Sequence, residues 1–238
     1  MYKNKKILAI ITARKGSKRI RNKNLIKFGD RKLIEWTFLS AQKSKLIDKT
    51  YISTNDDRII KLAKKYEITS LFKRPEHLST DKAKTKSVLL HHLKWMKKNN
   101  YEKYEYIVLL QPTSPLRKGF HIDNAIKQIV KSKHNSLISV CASPVISDWI
   151  FKKSKQNKKY LNLTHLNKVK QSQNYEETFY LNGLIFIAKI NYFFKHKSFF
   201  GNKTDIFKVP LEYSIDIDNH EDLKIGEYYL SRYINEYK

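Results

Sequence analysis

Short apolar runs alternate along the chain with longer stretches in which apolar residues recur every three or four positions. The pattern predicts a strand over residues 6–12 and a helix over 33–43, then a strand over 49–54 and a helix over 57–66. A third short run falls near 68–72, and an amphipathic stretch over 80–98 precedes the uniformly apolar run 106–110. A helix over 119–131 and a strand over 136–140 continue the rhythm. Strands alternating with helices imply an α/β chain with a mostly parallel sheet covered on both faces. Ligands of such sheets bind beyond the carboxyl ends of the strands, so the loops there are the places to search.

Between about 143 and 179 the rhythm gives way to a Lys-, Asn- and Gln-rich segment carrying Trp149, Ile150, Phe151, Tyr160, Leu161 and Leu163. These are too many apolar residues for a linker, so an inserted arm or small subdomain is expected. Strands over 184–188 and 213–217 and a helix over 221–237 close the chain. A length of 238 residues accommodates one domain, 1–238, carrying that arm.

Composition narrows the partners. The chain is 41% hydrophobic and 13% aromatic, enough for a packed core, and Cys141 is its only cysteine, which excludes a disulfide framework. No apolar run approaches the roughly 18 residues that a membrane span requires. After Lys3, Lys5 and Lys6 the apolar stretch is cut off by Arg14 and Lys15, so it reads as a first strand of a cytoplasmic protein instead of a secretory signal. The net charge of +26 favours polyanionic partners. A chain-wide Lys-, Asn- and Ile-rich bias accounts for it equally well, since the lysines are scattered.

The first predicted strand runs into residues 13–24, which hold six cations and the pair Gly16-Ser17. A glycine that lets the backbone turn, N–H groups that can point inward and several Lys and Arg side chains together make a polyphosphate cradle. Neither of the two common glycine-rich nucleotide fingerprints is present. Near the other end, Asp216 and Asp218 sit two residues apart, an arrangement that on a strand would turn both carboxylates to one face and let them share a hard cation. Taken alone, they read equally well as solvent-facing acids.

The stretch Ala13-Arg14-Lys15-Gly16-Ser17-Lys18, ending in Lys23-Asn24, resembles the phosphate-loop signature of the acylneuraminate cytidylyltransferase family. Arg74-Pro75-Glu76-His77-Leu78-Ser79-Thr80-Asp81 and Leu110-Gln111-Pro112-Thr113-Ser114-Pro115-Leu116-Arg117 are similar to the next two family motifs, in order. Asn182-Gly183 and Asp216-Ile217-Asp218 follow in the family's sequence. The resemblance implies a Rossmann-like nucleotidyltransferase fold and transfer of CMP from CTP to the anomeric hydroxyl of a nine-carbon 2-keto acid sugar, with release of pyrophosphate.

By that resemblance Arg14, Gly16, Ser17, Lys18 and Lys23 hold the triphosphate and Asn24 the ribose region, with Lys23 at the α-phosphate. Arg74 and Thr85 lie near the cytosine with Asp81 between them, although Thr80 or Asp81 also suits a helix cap. Gln111, Thr113, Ser114, Lys170 and Asn182 face the sugar; Gln111 also reads as an ordinary strand-end amide. Asp216 and Asp218 hold Mg2+. Arg14, Lys18, Lys23, Asp216 and Asp218 form the expected catalytic set. A homodimer is expected, with the 143–179 arm, Phe193 and Phe194 as interface candidates or simple core residues.

Three positions depart from the family pattern: Thr12, Lys15 and Arg19 stand where proline, glycine and glycine are frequent. Ser172 occupies the place of an arginine, so Lys168 or Lys170 would supply the charge for the sugar carboxylate, without an arginine's bidentate fork. Two rival readings are a CMP-3-deoxy-manno-octulosonate synthetase or other sugar nucleotidyltransferase, and a basic nucleic-acid-binding protein. A catalytically silent relative is disfavoured by the intact Lys23, Arg74, Asp216 and Asp218. The histidines show no metal-ligand spacing and are expected to pack or face solvent, and Cys141 to sit in the core.

Overall fold

The computed structural model describes residues 1–153, 160–162 and 175–233. The chain runs β1 (Ile7–Thr12), β2 (Lys27–Phe28), β3 (Arg31–Lys32), α1 (Leu33–Gln42), β4 (Lys49–Ser53), α2 (Asp57–Lys64), α3 (Thr85–Lys98) and β5 (Tyr106–Leu110). It continues through α4 (Gly119–Lys131), β6 (Ser136–Ala142), β7 (Phe151–Lys153), β8 (Tyr160–Asn162), β9 (Phe179–Lys189), α5 (Ile190–His196), β10 (Thr204–Lys208) and α6 (His220–Tyr233). Six strands form the central sheet in the order β10-β6-β9-β5-β1-β4. Strand β9 runs antiparallel to β5 and β6, while the other pairings are parallel, as a mostly parallel α/β sheet requires.

Alternation along β1 explains the layering. Ile7, Ala9 and Ile11 face a core built with Ile34 and Phe38 of α1, Ile59 and Leu62 of α2, and Ile122, Ile126 and Ile129 of α4. Leu8 and Ile10 face the opposite core, built with Leu89, Leu93 and Met96 of α3 and Phe193 of α5. Both faces of the strand are therefore dry, which is why it reads as one continuous apolar run. A third, smaller core joins Ile20, Phe28, Leu33, Trp36, Leu116, Ile217 and Leu230 and underlies the loop after β1.

Several expected elements are corrected. Residues 68–72 form no strand; Thr69 makes a single parallel bridge to Tyr51. The helix expected over 80–98 begins only at Thr85, behind Lys84, so neither Thr80 nor Asp81 caps it. Residues 213–217 form no strand either: a short 3-10 turn, Leu211–Tyr213, leads into an irregular segment whose Ile217 N–H bonds to the Thr113 carbonyl. Phe193 is fully buried among Phe199 and Phe186, a core residue and not an interface one. Cys141 is buried, as expected. In the arm, β7 and β8 pair as an antiparallel hairpin, and Trp149, Ile150 and Phe151 are exposed. Among the described residues no helix is long and apolar enough to cross a membrane.

Candidate active site

Strand β1 ends at Thr12, and the Ala13 N–H donates to the Ser53 carbonyl at 3.0 Å, so the chain leaves the sheet between β1 and β4. Gly16 then takes a left-handed backbone, φ 75°, with nothing within 4 Å of where a Cβ would stand. The glycine is demanded by the turn alone and not by crowding. The loop is tied to itself and to the neighbouring strand end: Arg14 Nη1 donates to the Gly16 carbonyl at 2.6 Å, Asn24 Nδ2 to the Arg14 carbonyl at 3.2 Å, and the Lys15 N–H to Asn55 Oδ1 at 2.8 Å. Asn22 is also left-handed, and Arg58 Nη2 donates to its Oδ1 at 3.1 Å.

This loop forms one wall of a cleft of about 410 Å³ at the carboxyl ends of β1 and β5, large enough for a small-molecule ligand. Arg14, Ser17, Lys18, Lys23, Asn24, Arg74, Asp81, Thr85, Gln111, Thr113 and Asp218 all line it, so most of the site residues expected from the sequence are brought together. Thr85 opens α3, and Gln111 follows β5 directly. Arg19, counted among the cations of the cradle but given no role of its own, lines the cleft too, as does Thr80, and Leu78, Ala83 and Val88 add an apolar wall. Arg19 was discernible in the cationic run; Leu78, Ala83 and Val88 carried no signal beyond their apolar character.

Charge in the cleft is arranged in two clusters. Asp81 pairs through Oδ1 with Arg14 and through Oδ2 with Lys18 at 2.7 Å. Asp218 pairs through Oδ2 with Arg19 at 2.6 Å and through Oδ1 with Lys23 at 2.9 Å, while Lys23 also donates to the Ile217 carbonyl at 2.6 Å. The hydrogen bond from Lys18, helped by Arg14, holds Asp81 below the usual carboxylate range. Burial pushes Asp218 up, but Lys23 and Arg19 outweigh it and leave that carboxyl low as well.

Arg74 is different. It is only 4% exposed, and its guanidinium donates to the Ser53 hydroxyl at 3.1 Å and to the Ser53 carbonyl, both neutral acceptors. Desolvation, with Arg14 nearby, pushes it down to about 10. A buried cation satisfied only by neutral oxygens, at the wall of a cleft, is poised for an acceptor-rich ligand.

Asp216 does not line the cleft but lies beside it. It keeps an exposed face, yet the protein around it desolvates the carboxyl and raises it; Thr113 and Lys23 pull it down, and Asp218 pushes it up. The segment is held by the Ile217 N–H, which donates to the Thr113 carbonyl at 2.7 Å, and by the fully buried Ile217 side chain. The expected strand geometry is thus replaced by docking onto the Gln111–Arg117 loop. That loop is in turn fixed by the fully buried Arg117, which donates to the Leu184 carbonyl at 2.7 Å and to Thr37 Oγ1 at 2.8 Å.

Three other expected residues do not line the hollow. Gly16 shapes the loop without lining the hollow. Ser114 is fully buried next to Gly183, its hydroxyl without a hydrogen-bond partner among the described residues. Asn182 is buried and its amide is already engaged: Oδ1 accepts from Ser139 at 2.7 Å and Nδ2 donates to Ser214 at 2.9 Å. In this arrangement Asn182 ties β9 to β6 and to the segment before Asp216. Lys170, with Lys168 and Ser172, lies outside the described residues. Among the described residues no three His, Cys, Asp or Glu side chains converge as a metal cluster. His92 is buried and pushed down to about 4 by desolvation, in keeping with a packing role.

A Rossmann-like sheet in this strand order, with a first loop that gathers cations at the strand ends, is the α/β nucleotidyltransferase fold. The chain belongs to the cytidylyltransferase family, whose pattern its residues 8–236 match. It is similar to the N-acylneuraminate cytidylyltransferase of Escherichia coli O18:K1:H7, at 34% identity over 93% of this chain and 51% of that protein. The CMP-N,N'-diacetyllegionaminic acid synthase of Campylobacter jejuni is 30% identical over 94% of this chain and 95% of that one. The chain therefore spans about half the length of the N-acylneuraminate cytidylyltransferases and nearly all of the Campylobacter protein. Its fold is shared with CMP:2-keto-3-deoxy-manno-octonic acid synthetase complexed with CTP, TM-score 0.69 at 11% identity over 95% of this chain and 99% of that one. It is shared also with 4-diphosphocytidyl-2C-methyl-D-erythritol synthase from Anaerococcus prevotii, TM-score 0.67 at 16% identity over 96% and 99%.

Proposed function

We propose that the chain transfers CMP from CTP to the anomeric hydroxyl of a nonulosonic, sialic-acid-like sugar and releases pyrophosphate. The observation that carries this reading is the cleft itself, where four cations of one short loop and the buried Arg74 face Gln111, Thr113 and Asp218. The names of its sequence relatives, N-acylneuraminate cytidylyltransferase and CMP-N,N'-diacetyllegionaminic acid synthase, support both nucleotide and acceptor class.

In this reading Arg14, Ser17 and Lys18 hold the outer phosphates, and Lys23, anchored to Ile217 and Asp218, sits at the α-phosphate where charge develops. Asn24 orients the ribose. Arg74 and Thr85 read the cytosine, with the apolar Leu78, Ala83 and Val88 beside them. Gln111 and Thr113 position the sugar so that its hydroxyl attacks in line.

The donor set fits one magnesium ion. Asp216 and Asp218 stand within electrostatic reach of each other, Asp222 beside them is engaged by the Asp218 and Asn219 N–H groups, and Mg2+ binds through one or two carboxylates plus substrate phosphates. Bound there, it would offset negative charge on the phosphate oxygens.

Domain 1–238 acts in this reading as one nucleotidyltransferase unit in the cytoplasm, where CTP is available. The exposed Trp149, Ile150 and Phe151 of the arm support a homodimer.

The test is a matrix of four nucleoside triphosphates against N-acetylneuraminate, legionaminate, pseudaminate and 3-deoxy-manno-octulosonate with Mg2+, read by pyrophosphate release. CTP with a nonulosonate should stand out. Equal turnover of all nucleotides, or a preference for 3-deoxy-manno-octulosonate, would contradict the proposal.

A further inference from the structure

Four cations line the phosphate side of the cleft, and each is taken by one carboxylate oxygen. Arg14 and Lys18 meet the two oxygens of Asp81; Arg19 and Lys23 meet the two oxygens of Asp218. The two acids come from different parts of the chain, Asp81 from the turn before α3 and Asp218 from the segment before α6. A carboxylate bridging two cations with both oxygens presents them with much the same charge and acceptor geometry as a phosphate. Asp218 stands within electrostatic reach of Asp216 and belongs to the proposed ion site. Asp81 has none: it ends no helix, and both of its oxygens are spent on the two cations that the proposed function assigns to the outer phosphates.

We infer that Asp81 is a resident counter-ion of the phosphate loop, a carboxylate that occupies Arg14 and Lys18 until a polyphosphate displaces it and that reclaims them when pyrophosphate leaves. The inference rests on the proposed function and adds a role in ligand exchange that the attractive contacts do not supply.

Its physical basis is competition. With Asp81 in place, like-charged Arg14 and Lys18 are held together in a preformed arrangement, which lowers the cost of assembling the site. The same pairing must be broken for every ligand phosphate that enters. Asp81 is about one-third exposed and Lys18 is 77% exposed, so these pairs are of the solvent-screened, readily exchanged kind. Asp81 is then a positioning residue that weakens phosphate binding and speeds product loss, the opposite of a ligand-binding acid.

The test is calorimetric titration of the whole chain with pyrophosphate, and separately with CTP, comparing wild type with Asp81→Asn. Glu102→Gln serves as the control for loss of one negative charge; Glu102 pairs with Lys6 ahead of β5, at the end of the sheet away from the cleft. Asp81→Asn should bind pyrophosphate about three- to tenfold more tightly than wild type, the range expected for losing two exposed ion pairs. Its affinity should fall more steeply with salt, and Glu102→Gln should match wild type. Weaker or unchanged pyrophosphate binding by Asp81→Asn, with a melting midpoint equal to wild type, would overturn the counter-ion role. So would an equal gain in Glu102→Gln. If Asp81→Asn melts lower, Asp81→Ser is titrated by the same criterion. Wild type binding neither pyrophosphate nor CTP would instead overturn the proposed function.

Discussion

The basic wall of the cleft is carried by residues close in sequence, Arg14 to Lys23, folded back on themselves by two left-handed positions and by bonds among their own backbone and side chains. The acidic segment at Asp216 and Asp218 is irregular and held from both near and far: Asp222 Oδ2 accepts from the Asp218 and Asn219 N–H groups at 2.8 and 2.9 Å, the Ile217 N–H donates to the Thr113 carbonyl, and Ile217 is buried in the small core under the loop. The cation loop is bent by its own residues; the acidic segment also needs contacts from distant parts of the chain. The acids also differ from each other, since the Asp218 carboxylate is stabilised by Lys23 and Arg19 whereas desolvation disfavours the ionised form of Asp216.

The sharpest way to break this comparison is on the basic wall. Lys23→Met should lower turnover at saturating substrate by about 10²- to 10³-fold, the loss typical of removing one donor from developing charge. Its melting midpoint should fall somewhat, because the bonds to Asp218 and to the Ile217 carbonyl go with the ammonium. A rate within a few-fold of wild type would leave the loop a binding surface only.

On the acidic wall, Asp216→Asn and Asp218→Asn should each cut turnover more than tenfold, yet move stability in opposite directions. The folded-state pKa of Asp216 lies above its unfolded value, so its ionised form costs stability above that pKa. Asparagine removes the cost, and the melting midpoint at pH 7 should hold or rise. Asp218 is depressed, so its pairing contributes stability above the unfolded pKa that is lost as pH falls through the folded one. Asp218→Asn should therefore melt lower than wild type at pH 7, with the difference closing in acid. Shifts of the same sign would contradict the distinction.

The smallest effect belongs to the loop's own turn. Gly16→Ala meets no atoms but must hold a left-handed backbone, which costs about 1–2 kcal/mol, some 2–8 °C in melting midpoint for a chain of this size. An unchanged midpoint would show that the turn is not fixed before ligand arrives.

What could be read from the sequence follows the same division. Strand β5 and helix α4 appear at their predicted bounds, because strands buried on both faces write continuous apolar runs and helix α4 shows a regular apolar face. The cation loop was legible for the same local reason. Strand β9 was only half visible: it spans Phe179–Lys189, but Gly183 at φ 75° interrupts the run, and Tyr180 and Leu181 are exposed. A Cβ at this position would stand only 3.2 Å from Gln111 Oε1, so what looks like a turn signal is a close approach of backbone to the cleft floor. Strand β10, a short half-exposed edge, gave no clean alternation. The path of Asp216 was not legible, because it depends on Thr113 and on a core assembled from distant segments.

The central claim is that CTP lies in this cleft with its phosphates along the loop after β1 and its base against Arg74. A crystal structure of the chain soaked with CTP and Mg2+ tests it most directly. The account predicts density for the triphosphate on Arg14, Lys18 and Lys23, with the cytosine beside Arg74 and Thr85 and an ion on Asp216 and Asp218. A nucleotide bound elsewhere on the molecule, with the cleft left empty, would contradict it.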